Sequence, residues 1–169
     1  MPNTQVKQLD DHSAWIAALI DQLEAIPVAV PLADPLIEAL YARAYTALEA
    51  GHHQYAMKLF VMLLGQRPTE ARMLLGYAYA LKGVGLTQYA LLPIGLAAHV
   101  KQGDPHLVLA MAQCLIDMHE AEAARSILGM LVSACEQHAG DDGADDLAGL
   151  VTQAEALRSV LGQASAQHA

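Results

Sequence analysis

The sequence predicts an all-α fold in which three helix-turn-helix units of equal length stand between an extra N-terminal helix and a C-terminal closing helix. Three observations predict it. The first is composition: 32 Ala and 26 Leu stand against one Phe and one Trp, so residues that pack cheaply in helices are plentiful and aromatic strand formers scarce. The second is size, because 169 residues that are 54% hydrophobic supply one core and fall short of two ordinary domains. The third is an internal repeat, in which the chain laid on itself at a shift of 34 residues matches at the same few positions without a gap.

Taken in order, residues 1–10 are expected to be disordered. Residues 11–26 then place Trp15, Ile16, Leu19, Ile20 and Leu23 on one helical face, and a proline-punctuated link runs from Pro27 to Pro35. The repeats follow at about 37–70, 71–104 and 105–138, with Leu40, Leu74 and Val108 in one column. Ala44, Ala78 and Ala112 form another on the first helix of each pair, and Ala56, Ala90 and Ala124 a third on the second helix. At these positions only a small side chain lets antiparallel backbones approach. Phe60, Ile94 and Leu128 share the column that fills the space between one pair and the next.

Gly51 and Gly85 fall between the two alanine columns, where a helix needs a left-handed terminus, and His119 takes their place in the third copy. His119 must therefore adopt that strained geometry or the turn must change form. Asp34-Pro35 and Asp104-Pro105 each put an N-cap acceptor before a proline at the first helical position, and Pro68 punctuates the link between the first two repeats. Pro93 lies inside a helix, cannot donate to the Tyr89 carbonyl and is expected to kink it. Residues 139–146 read as an acidic breaker. A closing helix over 145–162 then carries Leu147, Leu150, Val151, Ala154, Leu157 and Leu161 as an apolar stripe that caps the stack. The tail 163–169 is expected to be disordered, and 11–162 to form a single domain.

These columns, in this order, resemble the tetratricopeptide repeat: apolar, small, Gly, Ala, a large apolar residue, then Pro over 34 residues. No repeat starts with Trp, and only the first ends with Pro. Stacked pairs of this kind make an arc whose inner wall is lined by the first helix of each repeat. The register assigns to that wall Tyr41, Tyr45 and Leu48, then Leu75, Tyr79 and Lys82, then Leu109, Gln113 and Ile116. Tyr41, Tyr45, Leu75 and Tyr79 are surplus to the core columns, and surplus apolar surface marks a binding site unless a terminal helix folds over it. Lys82 is the one cation among these nine residues, which argues against a clamp for acidic chain ends and for an extended apolar segment. Three aliphatic anchors at roughly 2 kcal/mol each give about 6 kcal/mol. Association costs of about 4–15 kcal/mol largely cancel that gain, so a tight complex needs further contacts or dimerisation.

Other classes lose support on composition and spacing. Nine Lys+Arg against 18 Asp+Glu give a formal charge of −9, too few cations to neutralise a run of phosphates, so neither nucleic acid nor an anionic membrane is an expected partner. Met1 to Lys7 shows no apolar run behind a basic start, and about 18 unbroken apolar residues occur nowhere, so a cytoplasmic protein is expected. Cys114 and Cys135 read as small buried hydrophobes. Eight histidines include no HExxH; His52 and His53 are adjacent and point apart, and His99 and His106 straddle a loop, so no metal is expected. The run Asp141 to Asp146 lacks the alternation of a calcium loop. No phosphate loop or nucleophile motif appears, so neither an enzyme nor a cofactor is expected. Met57, Met62, Met73, Met111, Met118 and Met130 read chiefly as core filler.

The organisation of 11–162 resembles the class II chaperones of bacterial type III secretion. The resemblance is carried by the short N-terminal helix, by Leu40-Tyr41-Ala42-Arg43-Ala44-Tyr45 followed by Gly51 and Ala56, by Leu75-Gly76-Tyr77-Ala78 leading to Gly85, by Ala112-Gln113-Cys114-Leu115, and by the closing helix. It implies a non-enzymatic binder that keeps hydrophobic translocator proteins soluble and holds an apolar-anchored segment of them in the groove. It also implies that Trp15, Ile16, Leu19, Ile20 and Leu23 serve dimerisation or client contact, with a homodimer as the expected state. Whether a transcriptional regulator is also engaged stays open. The alternative is a tetratricopeptide-repeat scaffold or regulator of a secretion system, or a needle-subunit chaperone.

Overall fold

A computed structural model describes residues 20–23, 25, 30–137 and 144–166. Trp15, Ile16 and Leu19 lie outside the described residues; Ile20 and Leu23 fall in a helical stretch over 20–23 and are half-buried. The described residues form helices joined by turns and short links, with no strand among them. Seven further helices follow: α1 (Asp34–Glu49), α2 (His53–Leu64), α3 (Ala71–Gly83), α4 (Thr87–Val100), α5 (Pro105–Asp117), α6 (Ala121–Gln137) and α7 (Ala144–Ala166). They divide between two compact units, residues 1–102 and 103–169.

The first unit contains two helix pairs, α1 with α2 and α3 with α4, and α2 also packs on α3. Its core gathers Ile37, Ala44, Ala47, Ala56, Leu59, Phe60, Leu63, Met73 and Ala80, with Leu32, Leu40 and Tyr41 among the half-buried side chains against it. Phe60 is fully buried, and it fits because residue 76 is glycine: a Cβ there would run into the phenyl ring. The link that enters α1 is pinned by Gln66, whose amide accepts from the Leu32 N–H at 2.9 Å and donates to the Val30 carbonyl at 3.2 Å.

The second unit packs α5 on α6 and α6 on α7. Leu109, Ala112, Leu128, Leu131, Val132, Cys135, Leu150 and Ala154 form its core, and Leu147, Val151, Leu157 and Leu161 border it. The whole apolar stripe of the closing helix is thus used. That helix starts at Ala144, so residues 145 and 146 belong to it and not to the preceding breaker.

The three turns within the repeats share one geometry. After α1, the Gly51 N–H bonds the Leu48 carbonyl and the His52 N–H the Ala47 carbonyl; after α3, Gly85 and Leu86 bond Lys82 and Leu81; after α5, His119 and Glu120 bond Ile116 and Leu115. Each is the doubly bonded left-handed cap, with φ of +76° at Gly51, +82° at Gly85 and +64° at His119. His119 has therefore taken the strained conformation, held by the same two hydrogen bonds as the glycines.

Some expectations are corrected. Asp104 caps α5, accepting from the His106 N–H at 3.0 Å, but Asp34 does not cap α1. It is the first helical residue, Ala33 occupies the cap position, and the Asp34 carboxylate instead meets Arg67 at 2.7 Å. A charged partner competes better for the carboxylate than a backbone amide does. Pro93 lies buried inside α4, where the sequence placed it. Of the six methionines singled out, Met73 is buried in the core and Met57 packs half-buried against it, while Met62 and Met130 are exposed.

Candidate functional site

Residues at i, i+3, i+7 and i+10 share a helix face. On α1 this face carries Glu38, Tyr41, Tyr45 and Leu48, and on α3 the residues 34 positions later, Arg72, Leu75, Tyr79 and Lys82. Because α1 packs alongside α3, the two rows form one wall in the first unit.

Tyr41 is the anchor of this wall. Its ring meets Phe60 edge-on at 6.2 Å and lies 6.4 Å from Tyr45 with the planes at 27°. Burial pushes its hydroxyl above the ordinary tyrosine value, with the Arg72 charge acting the other way. Tyr41 is thus partly structural, whereas Tyr45 is 48% exposed and offers its ring to solvent. Leu48, Leu75, Tyr79 and Lys82 are half-buried, and the Lys82 ammonium lies 6.0 Å from the Tyr79 ring centre.

The N-terminal end of the wall is electrostatic. Arg72 stacks 4.6 Å over the Tyr41 ring and grips Glu38 with two bonds of 2.5 and 2.9 Å, while its Nε bonds Glu70 at 3.2 Å. Arg67 adds Asp34 at 2.7 Å, with Glu38 at 3.8 Å and Glu70 at 3.9 Å. The hydrogen bond from Arg72 holds the Glu38 carboxyl below its ordinary value, and the same bond raises the guanidinium. Lys82 is therefore not the only cation of this surface. Glu38 and Arg72 went unassigned in the sequence reading although their spacing of 34 puts them in one column, which makes neighbours of them once the repeats stack.

In the second unit, Gln113 and Ile116 are half-buried on α5. Leu109 is only 6% exposed and belongs to that unit's core with Ala112 and Leu128, so it offers little surface to a ligand. Cys114 and Cys135 are buried free thiols, and burial pushes the Cys135 thiol up, away from reactivity. No group of three metal-ligating side chains occurs among the described residues. Aromatic faces, leucine stems and paired charges suit binding; none is a nucleophile aligned with a base.

No protein-family model and no curated protein matches the sequence. Solved structures do. PcrH, a Pseudomonas aeruginosa protein solved with the chaperone-binding region of PopD, is 22% identical over 79% of this chain and 96% of its own, with a TM-score of 0.68. The Yersinia enterocolitica type III secretion chaperone SycD with a peptide of the translocator YopD is 19% identical, with 79% of this chain and 97% of that one covered and a TM-score of 0.66. SycD in an alternative dimer gives 19% identity, coverages of 79% and 96%, and a TM-score of 0.69. The chain has the fold of PcrH and SycD. At this level of identity the likeness is one of fold.

Proposed function

We propose that this protein is a type III secretion chaperone that binds hydrophobic translocator proteins in the bacterial cytoplasm and keeps them soluble, without catalysis. The observation that carries the reading is the aromatic wall of the first unit, where Tyr45 stands exposed beside the anchored Tyr41 and faces no core of its own. Support comes from the fold, since PcrH and SycD have been solved with segments of PopD and YopD. An extended client segment would lay apolar side chains against Tyr45, Leu48, Leu75 and Tyr79 of the first unit while tyrosine hydroxyls bond its backbone. Among the described residues no helix is long and apolar enough to cross a membrane, in keeping with this role. A homodimer in which Trp15, Ile16, Leu19, Ile20 and Leu23 take part completes the proposal; SycD has been solved as a dimer.

Co-expression with a translocator-type client tests it. The protein should bring an otherwise insoluble client into the soluble fraction, and Tyr45→Ala with Tyr79→Ala should abolish capture while far-UV circular dichroism stays unchanged. Full capture by the folded double variant would remove the wall from the account. The exposed Met62, Tyr89 and Leu92 on α2 and α4 favour a second reading, a scaffold that joins folded proteins. A scaffold would bind soluble partners and leave the client insoluble.

A further inference from the structure

On α1, Arg43, Thr46 and Ala50 lie roughly 140–200° around the helix from Tyr41, on the side turned away from the aromatic wall. The repeat register shows what is unusual there. The matching residues of the second repeat are Tyr77, Ala80 and Val84, of which Ala80 is fully buried and Tyr77 packs on the first unit's core. In the first repeat the same columns are exposed and polar, with Arg43 and Thr46 in place of Tyr77 and Ala80.

A pocket of about 290 Å³ opens on this face, lined by Arg43, Thr46, Ala47, Ala50, His52 and Tyr55. Its lining combines the small Thr46, Ala47 and Ala50 with the polar Arg43, His52 and Tyr55. The Arg43 Nε donates to the Tyr55 hydroxyl at 3.3 Å, and the guanidinium stands 5.8 Å from the ring centre. Arg67, Arg72 and Arg125 each pair with a carboxylate, whereas Arg43, like Arg158 on the closing helix, pairs with none among the described residues; Arg43 alone of the two is held by a tyrosine hydroxyl. His52 sits at the N-cap of α2, and that helix directs its positive end to the same spot.

We propose that this pocket is a second binding site, separate from the aromatic wall, which takes a carboxylate carried on a short apolar stem of a polypeptide partner. The planar guanidinium fork, oriented by Tyr55, matches a carboxylate in two bonds, and Thr46, Ala47 and Ala50 leave room for the stem. One fixed guanidinium fits a singly charged anion better than a phosphate dianion. The carboxylate has two possible sources, a chain terminus or an Asp or Glu side chain.

The full-length protein is titrated with three short peptides of one apolar sequence: one with a free C-terminal carboxylate and no acidic side chain, one amidated with a single Glu, and one amidated without acid. The Arg43 Nε–H resonance, assigned by its loss in Arg43→Gln, and fluorescence polarisation report binding. At least one acidic peptide should saturate and shift that resonance, and which one does so identifies the source. Affinity should fall by about tenfold in Arg43→Gln and less in Arg43→Lys, which keeps the charge without the fork. Both variants alter an exposed side chain, and circular dichroism checks their fold. An equal shift of the Arg43 resonance by the uncharged amide, no shift by either acid, or a preference for acid over amide that persists undiminished in Arg43→Gln would overturn the proposal.

Discussion

The three left-handed turns form a natural substitution series. Gly51, Gly85 and His119 occupy the same position of the same doubly bonded cap, with φ between +64° and +82°. A Cβ at Gly51 or Gly85 meets nothing within 4 Å, so an alanine there changes the backbone energy and adds no clash. The left-handed conformation costs a residue with a Cβ about 1–2 kcal/mol. Glycine returns about 0.5–1 kcal/mol of that through its greater freedom in the unfolded chain. The net effect is about 0.5–1 kcal/mol: Gly51→Ala and Gly85→Ala should each destabilise by this amount, and His119→Gly should stabilise by a similar amount. Urea unfolding followed at 222 nm, with the midpoint shift multiplied by an unchanged m-value, measures all three. Opposite signs at aligned positions are the signature of one shared geometry. A His119→Gly protein less stable than the parent would show that the imidazole makes contacts worth more than the strain, and the account of the turns would fail.

Two further substitutions probe the first unit. Gly76→Ala puts a methyl group into the Phe60 ring and should cost about 1–3 kcal/mol by overpacking; Phe60→Leu in the same chain should recover part of that loss, and thermal unfolding of the single and double variants reads the coupling. Glu38 contributes through its charge. Its folded value lies below the ordinary 4.5, so its contribution is present above that pH and disappears as the pH falls through the lowered value. Glu38→Gln should therefore be less stable than the parent at neutral pH, with the two stability curves converging on acidification; a constant gap down to acid pH would show that the pair with Arg72 is not the cause.

Much of the interior was legible because helix packing leaves a record in residue size. The alanine columns at 44, 78 and 112 and at 56, 90 and 124 are all fully buried, as are Phe60, Ile94 and Leu128. Side-chain partnership was less legible. Asp34 has the sequence context of an N-cap but bonds Arg67, which stands 33 residues away and becomes a neighbour only when α1 and the link before α3 come together. Leu109 has the register of a wall residue, yet the way α6 and α7 close on α5 makes it core. Met62 and Met130 have helical spacing, but spacing alone does not say which face a neighbouring helix covers.

By itself the sequence determined the helix pairs, their period, the places where backbones approach and the left-handed turns, because each depends on side-chain volume or on a local φ that a single residue type permits. The tertiary structure alone decided which members of a column are exposed, and it joined Glu38 to Arg72 and Arg43 to Tyr55. Those outcomes depend on what a neighbouring helix covers and on competition among charged partners distant in sequence, and neither is written into any local stretch of residues.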